Sequence, residues 1–186
     1  MSSNPAIAEP GAAPGPAILC VDDEPNILSA LRRLFRGQGY RVHTAESAKA
    51  GLELLEREQV DLVISDMRMP EMNGADFLEI VRARWPATLR LLLTGYADVQ
   101  SILGAINRGE IYRYITKPWD DSDIVLVVRH ALERVALEKD KARLEALTQA
   151  QNESLRELNA TLEQKVEQRT GEVLAANERL KNNFLT

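Results

Sequence analysis

The chain has 186 residues, of which 45% are hydrophobic and 27% are charged, with a net charge of −5. This balance is typical of a globular protein with one ordinary domain and some residues to spare. No apolar run approaches the roughly 20 residues that span a membrane. One Cys and two His argue against a disulfide framework or a metal site built from those residues, and the acidic balance argues against nucleic acid. We expect a cytoplasmic protein with no membrane or nucleic-acid partner.

Short apolar runs alternate with segments of helical periodicity along most of the chain. Residues 1–16 hold four Pro and are predicted to be a disordered leader. The last helix is predicted to be capped by Asp121 or Ser122. Short connections favour right-handed crossovers and a parallel sheet with helices on both faces. The predicted strands are 17–21, 40–44, 60–65, 89–93 and 111–116, and the predicted helices are 26–36, 48–56, 77–84, 98–107 and a long segment from 121.

Polar side chains follow the predicted strands at one edge of this sheet. Asp22 and Asp23 follow the first strand, Asp66 the third, Thr94 the fourth and Lys117 the fifth, and ligand groups of parallel sheets gather at that edge. Clustered carboxylates repel one another unless a cation offsets them, and hard oxygen ligands suit Mg²⁺. An ionised Asp66 can act as a nucleophile for phosphoryl transfer, assisted by the Lys117 ammonium and the Thr94 hydroxyl. The Lys117–Pro118 bond is of the X–Pro type that tolerates the cis isomer.

Four stretches carry a resemblance to a known family. ILCVDDEP (18–25), DLVISDMRMPEMNG (61–74), LLLTGYAD (91–98) and YRYITKPW (112–119) resemble the motifs of bacterial two-component response regulator receiver domains. The resemblance covers roughly residues 17–135. It implies a flavodoxin-like α/β fold with five parallel strands in the order 2-1-3-4-5. It also implies a signalling domain, and not an enzyme, that accepts a phosphoryl group from a histidine kinase or a phosphotransfer protein.

The resemblance assigns a phosphorylation site that requires Mg²⁺. Asp66 resembles the phospho-acceptor and, with Asp22 and Asp23, the carboxylate set that holds the metal. Of the pair, Asp23 is expected to be the direct ligand, and the backbone carbonyl of Arg68 is expected to complete the metal site. Taken alone, an aspartate at the end of a strand can equally be the cap of the following helix.

The resemblance also assigns residues that sense the phosphoryl group. Lys117 resembles the amine that contacts it, and Thr94 and Tyr114 resemble the switch pair that rearranges when it arrives. The side chains of Arg68 and Tyr96 occupy positions that influence how easily water reaches the acyl phosphate, and their bulk predicts a long-lived phosphoryl state. Taken singly, Thr94 can be a turn residue, Lys117 a surface charge and Tyr114 a packing residue. Their joint occurrence favours the functional assignment.

A long helix is predicted beyond the receiver-like region, over 136–186. The segment 121–183 contains no Pro and a single Gly, and apolar residues recur eleven positions apart within it. Such a repeat predicts a nearly straight coiled coil, and we expect a parallel homodimer, because an isolated helix gains little stability from propensity alone. The stretch 162–170 resembles signalling-helix linkers. The family leads us to expect an output domain that is absent from this sequence, of the HD-GYP, diguanylate cyclase or kinase type.

Three other functions compete with a phosphorylation-controlled switch. A constitutive dimerisation or adaptor protein can use a receiver fold without phosphate, but the intact set of site residues argues against it. A phosphatase of related chemistry would need a second acid near the nucleophile, and position 68 holds Arg. A DNA-binding regulator is disfavoured, because no helix-turn-helix pattern follows the receiver-like region and the tail is not basic.

Overall fold

The computed structural model describes residues 15–95 and 111–183. Its centre is a sheet of five parallel strands in the order β2-β1-β3-β4-β5. The predicted fold is therefore confirmed, including the long helix at the C-terminal end. The strands are β1 (Ala17–Val21), β2 (Arg41–Ala45), β3 (Leu62–Asp66), β4 (Leu89–Gly95) and β5 (Arg113–Lys117), and the described helices are α1 (Pro25–Gly37), α2 (Ala48–Arg57), α3 (Gly74–Arg84) and α4 (Asp121–Asn183).

Capping side chains explain two differences from the prediction, which are the first residue of α3 and the capping residue of α4. Helix α3 begins at Gly74 and not at 77, since the Asn73 side chain accepts a hydrogen bond from the Asp76 amide at 2.9 Å. The predicted cap of α4 was wrong. The Asp120 carboxylate accepts hydrogen bonds from the amides of Ser122 at 2.8 Å and Asp123 at 3.2 Å, which lower the pKa of Asp120. The helix predicted over 98–107 lies outside the described residues.

The core consists of two clusters, one on each face of the sheet. Alternate residues of a strand point to opposite faces, so Leu19 and Val21 pack with α2 and α3, while Ile18 and Cys20 pack with α1 and the start of α4. The strands are nearly continuous apolar runs because both faces are covered. Burial raises the pKa of the Cys20 thiol to about 12, so this group is an inert core thiol.

The chain divides into two compact units, Met1–Leu137 and Glu138–Thr186. In the first unit, α4 buries Ile124, Val128 and Ala131 in the core. In the second unit, α4 continues as regular helix, and its side chains are exposed from Glu138 to Leu180. Within the described ranges, no helix is both long and apolar enough to cross a membrane.

Candidate functional site

The candidate site lies at the carboxyl edge of the sheet. Asp22 directly follows β1, Asp66 is the last residue of β3, and Lys117 is the last residue of β5. Strand β4, which contains Thr94, separates β3 from β5. Because all the strands are parallel, their carboxyl ends meet at one edge of the sheet. Residues that are up to 95 positions apart in sequence therefore lie together there.

An ammonium group joins two carboxylates at this edge. Lys117 Nζ donates to Asp22 Oδ2 at 2.8 Å and lies 2.7 Å from Asp66 Oδ1. The Lys117 side chain is 21% exposed, whereas those of Asp22 and Asp66 are 0% and 9% exposed. Burial lowers the pKa of Lys117, but its hydrogen bonds and ion pairs with the two aspartates outweigh that effect and raise it overall. The ammonium is therefore fully charged at neutral pH. The Lys117–Pro118 bond is cis, an isomer that its sequence allows.

Asp22 is held in a fixed orientation by the backbone around it. Its amide donates to the Ala45 carbonyl at 3.2 Å, and its Oδ1 accepts from the Glu24 amide at 2.9 Å. Burial raises the pKa of Asp22 above its usual value, and the hydrogen bond from Lys117 opposes that shift. An ionised Asp22 therefore costs folding free energy, which a site selected only for stability would avoid.

The Asp66 carboxylate is held between a charge and an amide. Its Oδ1 faces Lys117, and its Oδ2 accepts from the Arg68 amide at 3.0 Å. The backbone near it is anchored too, because the Met67 amide donates to the Leu93 carbonyl at 2.8 Å. Asp66 is 7% exposed as a residue, so a small reactant can approach the carboxylate while bulk water is largely excluded.

Three carboxylates at the edge form a set that suits a hard divalent cation. Asp22, Asp23 and Asp66 each offer an oxygen, and these oxygens lie within 4.8 Å of one another. Asp23 is exposed, whereas the other two are buried. Mg²⁺ retains several of its water ligands, so it binds to sites that offer few carboxylates and leave one side open to solvent.

The remaining predicted site residues have varied surroundings. Thr94 is completely buried, and its hydroxyl donates to the Gly95 carbonyl at 3.2 Å. The side chain of Tyr114 is half-buried against the core cluster that contains Phe77. Tyr96 lies outside the described residues. The structure thus joins Lys117 directly to two aspartates and gives Thr94 a backbone partner.

Gly74 has a role at the site that the sequence analysis missed. A Cβ atom built at Gly74 would lie 2.0 Å from the Asp66 carbonyl oxygen and 2.9 Å from Leu92 Cδ1. The Gly74 amide also donates to the Met67 carbonyl at 2.9 Å. Helix α3 therefore begins against the backbone of Asp66, at a distance that only glycine permits. A glycine directly after the capping Asn73 was the signal in the sequence, but a cap alone does not require glycine there.

The raised pKa of Asp22 predicts a stabilising substitution. A protonated Asp22 contributes stability that is fully present below its usual pKa near 3.8 and is lost as the pH rises through the higher folded-state pKa. Asp22→Asn should therefore be more stable than the wild type at neutral pH, and the difference should vanish in acid. Urea unfolding without divalent cations, from about pH 4 to 8, measures this. Asp23→Asn is the matched control, because that carboxylate is exposed. A less stable Asp22→Asn at neutral pH would show that the ionised group is stabilising.

Comparisons with known proteins agree with the fold. The family model described as response regulator receiver domain matches residues 18–129. The hydrogenase transcriptional regulatory protein HoxA of Cupriavidus necator is 40% identical over 128 residues, 69% of this chain and 26% of its own. The transcriptional regulatory protein GlrR of Escherichia coli is 36% identical over 130 residues, 70% of this chain and 29% of its own. The chain therefore spans between a quarter and a third of the length of these curated relatives.

Solved structures cover nearly the same region. The signal receiver domain of an HD domain-containing protein from Pseudomonas fluorescens Pf-5 is 41% identical, with a TM-score of 0.65, and the match covers 73% of this chain and 98% of that one. A response regulator receiver domain protein from Clostridium thermocellum is 32% identical, with a TM-score of 0.62, over 66% of this chain and 98% of that one. With the family model matched over more than half of its length, the chain belongs to the response regulator receiver domain family.

Proposed function

We propose that this protein is a phosphorylation-controlled signalling domain that accepts a phosphoryl group on Asp66. The observation that carries the proposal is the placement of the Lys117 ammonium 2.7 Å from Asp66 Oδ1 and 2.8 Å from Asp22 Oδ2. The donor is a phosphorylated histidine of a kinase or of a phosphotransfer protein, in the cytoplasm. Named relatives such as HoxA and GlrR are regulatory proteins, which supports a signalling role over an enzymatic one.

The transfer makes one bond and breaks one. An oxygen of Asp66 bonds to phosphorus while the phosphorus–nitrogen bond to the donor histidine breaks, and the imidazole keeps the electron pair and takes up a proton. Little covalent work is left to the protein, so positioning and charge neutralisation dominate. The Lys117 ammonium stabilises the negative charge of the phosphoryl oxygens. The Arg68 amide orients the Asp66 carboxylate by donating to Oδ2.

The donor set fits Mg²⁺ as the cofactor. Asp22, Asp23 and Asp66 would hold the ion, and the backbone carbonyl of Arg68 is the further ligand that we propose. When bound, the ion neutralises charge on the phosphoryl oxygens. The buried position of Asp22 supports this role. Burial disfavours an ionised carboxylate, and a nearby cation offsets that effect.

We propose that Thr94 and Tyr114 convert phosphorylation into a change of surface. A phosphoryl group adds a charge of about −1.5 to −2 at neutral pH and three hydrogen-bond acceptor oxygens. The Thr94 hydroxyl, which donates to the Gly95 carbonyl in the described part of the chain, turns toward that charge, and Tyr114 fills the space that it leaves. The surface that changes includes β5 and the start of α4. Arg68 and Tyr96 shield the acyl phosphate from water and prolong its lifetime.

The exposed part of α4 forms the second half of the proposal. We propose domain boundaries at 17–135 for the receiver and 136–186 for a coiled coil that joins two copies in parallel and leads to an output domain. The solved relative from P. fluorescens is the receiver of an HD domain-containing protein, which supports an HD-GYP output over a diguanylate cyclase or a kinase module.

Incubation with acetyl phosphate and Mg²⁺, followed by intact mass measurement, tests the acceptor. We expect the wild type to gain the mass of one phosphoryl group and Asp66→Ala to gain none. Asp140→Ala, which removes an exposed carboxylate, is the matched control and should behave as the wild type does. A gain that persists in Asp66→Ala would reject Asp66 as the acceptor. A wild type that gains no mass would favour the alternative of a constitutive adaptor.

Small-angle scattering of the phosphorylated protein tests the switch, and a time course of phosphoryl loss tests the shielding. Phosphorylated wild type should change its scattering profile, and Tyr114→Ala should accept the phosphoryl group without that change. An unaltered response in Tyr114→Ala would reject the coupling. Loss of the phosphoryl group within seconds would reject the shielding by Arg68 and Tyr96.

A further inference from the structure

Of the nine exposed large apolar side chains that the structure describes in the second unit, eight lie on one face of α4, and Leu174 lies outside that face. At 100° per residue, residues 18 positions apart complete five turns, so Leu144, Leu162 and Leu180 lie on one line along the helix. These three side chains are 49–61% exposed. The neighbouring large apolar residues that lie within about 60° of this line are Leu147, Leu155, Leu158, Val166 and Val173.

The stripe is large enough to join two copies of the chain. Eight leucines and valines, each about half exposed or more, would bury on the order of 1,500 Å² between two helices, which is the size of a specific interface. The stripe is about 100° wide, which is the width of helix surface that packs against one neighbouring helix. A second copy of the same stripe is therefore a sufficient occupant.

Charges of opposite sign flank the stripe around Leu162. Lys165 lies about 60° to one side of the line, and Glu163 lies about 100° to the other side. Neither side chain forms an ion pair or hydrogen bond with another residue in the described part of the chain. One turn further along, Arg169 follows Lys165 and Glu167 follows Glu163, a spacing at which like charges destabilise an isolated helix. Neither Lys165 nor Glu163 therefore has a residue of opposite charge three or four positions away on its own helix.

We propose that α4 pairs with a second copy in parallel and in register, and that Lys165 of each copy faces Glu163 of the other. This deepens the dimer of the proposed function and rests on it. In a parallel pair, the left flank of one helix meets the right flank of its partner at the same height, so the twofold axis creates two Lys165–Glu163 contacts. In an antiparallel pair each flank meets a flank of its own kind, which places Lys165 on the basic side of the second helix.

Two polar residues within the stripe support the same alignment. Gln151 and Arg169 are 18 positions apart and lie at the same angle, about 20° from the line. In register, Gln151 meets Gln151 of the second copy, and their amides can pair. The long stem of Arg169 lets its guanidinium leave the seam for water. A shift of one or two helical turns would place Gln151 opposite a leucine, and polar residues at such positions are known to specify register.

Charge reversal in the full chain tests the facing pair. Glu163→Lys and Lys165→Glu each replace two attractive contacts by two repulsive ones, so each variant alone should dimerise about tenfold more weakly. An equimolar mixture of the two should form heterodimers in preference to either homodimer, and the double variant should regain wild-type affinity. The effects should shrink at high salt. Glu153→Lys makes the same charge change on the opposite side of the helix and should leave affinity unchanged. Analytical ultracentrifugation and native mass spectrometry supply the measurements.

Cysteine crosslinking tests the direction of the helices. Leu144→Cys and Leu180→Cys, made separately, should each give disulfide-linked dimers, because in-register helices place identical stripe positions opposite one another. The two sites are about 54 Å apart along the helix, so an antiparallel pair could link at most one of them. The native Cys20 thiol is buried and contributes no background. A wild type that sediments as a monomer at tens of micromolar would reject the dimer itself. A dimer that ignores both charge reversals, or that links at only one cysteine, would reject the alignment and leave the phosphorylation of Asp66 untouched.

Discussion

Lys117→Met is expected to destabilise the receiver domain by about 2–4 kcal/mol at neutral pH and to abolish phosphorylation by acetyl phosphate. The substitution keeps most of the side-chain stem and removes the ammonium that lies within 2.8 Å of both Asp22 and Asp66. Breaking a buried pair by removing one partner leaves uncompensated charge, which typically costs about 3–5 kcal/mol. Because the Lys117 side chain is 21% exposed, solvent screening lowers the expected cost to about 2–4 kcal/mol.

Urea unfolding and intact mass measure the two effects of Lys117→Met. Lys141→Met is the matched control, because Lys141 is highly exposed and pairs with Glu145 at 3.8 Å only within its own helix, where such pairs contribute little. Added Mg²⁺ should restore more stability to Lys117→Met than to the wild type, since a divalent cation replaces the missing charge. An unchanged unfolding midpoint in Lys117→Met would contradict the assigned role of the ammonium.

Gly74→Ala is expected to slow phosphorylation of Asp66 by about a hundredfold and to cost about 1–3 kcal/mol of stability. The added methyl group would start 2.0 Å from the Asp66 carbonyl oxygen, so either α3 or the end of β3 must move by about 1 Å. Overpacking in a fixed core has a cost of this order, and a displacement of about 1 Å at a reacting group can reduce its rate by about a hundredfold.

The rate of acyl phosphate formation, followed by mass, measures this effect separately from stability. Gly37→Ala is the matched control, because a Cβ at Gly37 would meet no atom within 4 Å. Circular dichroism should show the same folded state for Gly74→Ala below its unfolding transition. A Gly74→Ala variant that is phosphorylated at the wild-type rate would mean that the close approach of α3 does not position the acceptor.

The parallel sheet and its strand positions follow from local patterns. Strand β3 is recognisable because it is almost wholly apolar, and a strand covered on both faces has that composition. Element boundaries were harder to predict. Asn73 and Asp120 set the starts of α3 and α4 by accepting amide hydrogen bonds, and several neighbouring polar residues can satisfy the same amides.

Residue types and periodicity were enough to predict the carboxylates at the ends of the strands and the apolar stripe on α4. Residue type and periodicity decide both, since carboxylates follow the strands and a regular helix sets the angle of every side chain. Tertiary structure alone decided the burial of Asp22, the bridging position of Lys117 and the contact between Gly74 and the Asp66 backbone. These features depend on distances between segments that are far apart in the chain, and local patterns carry no information about such distances.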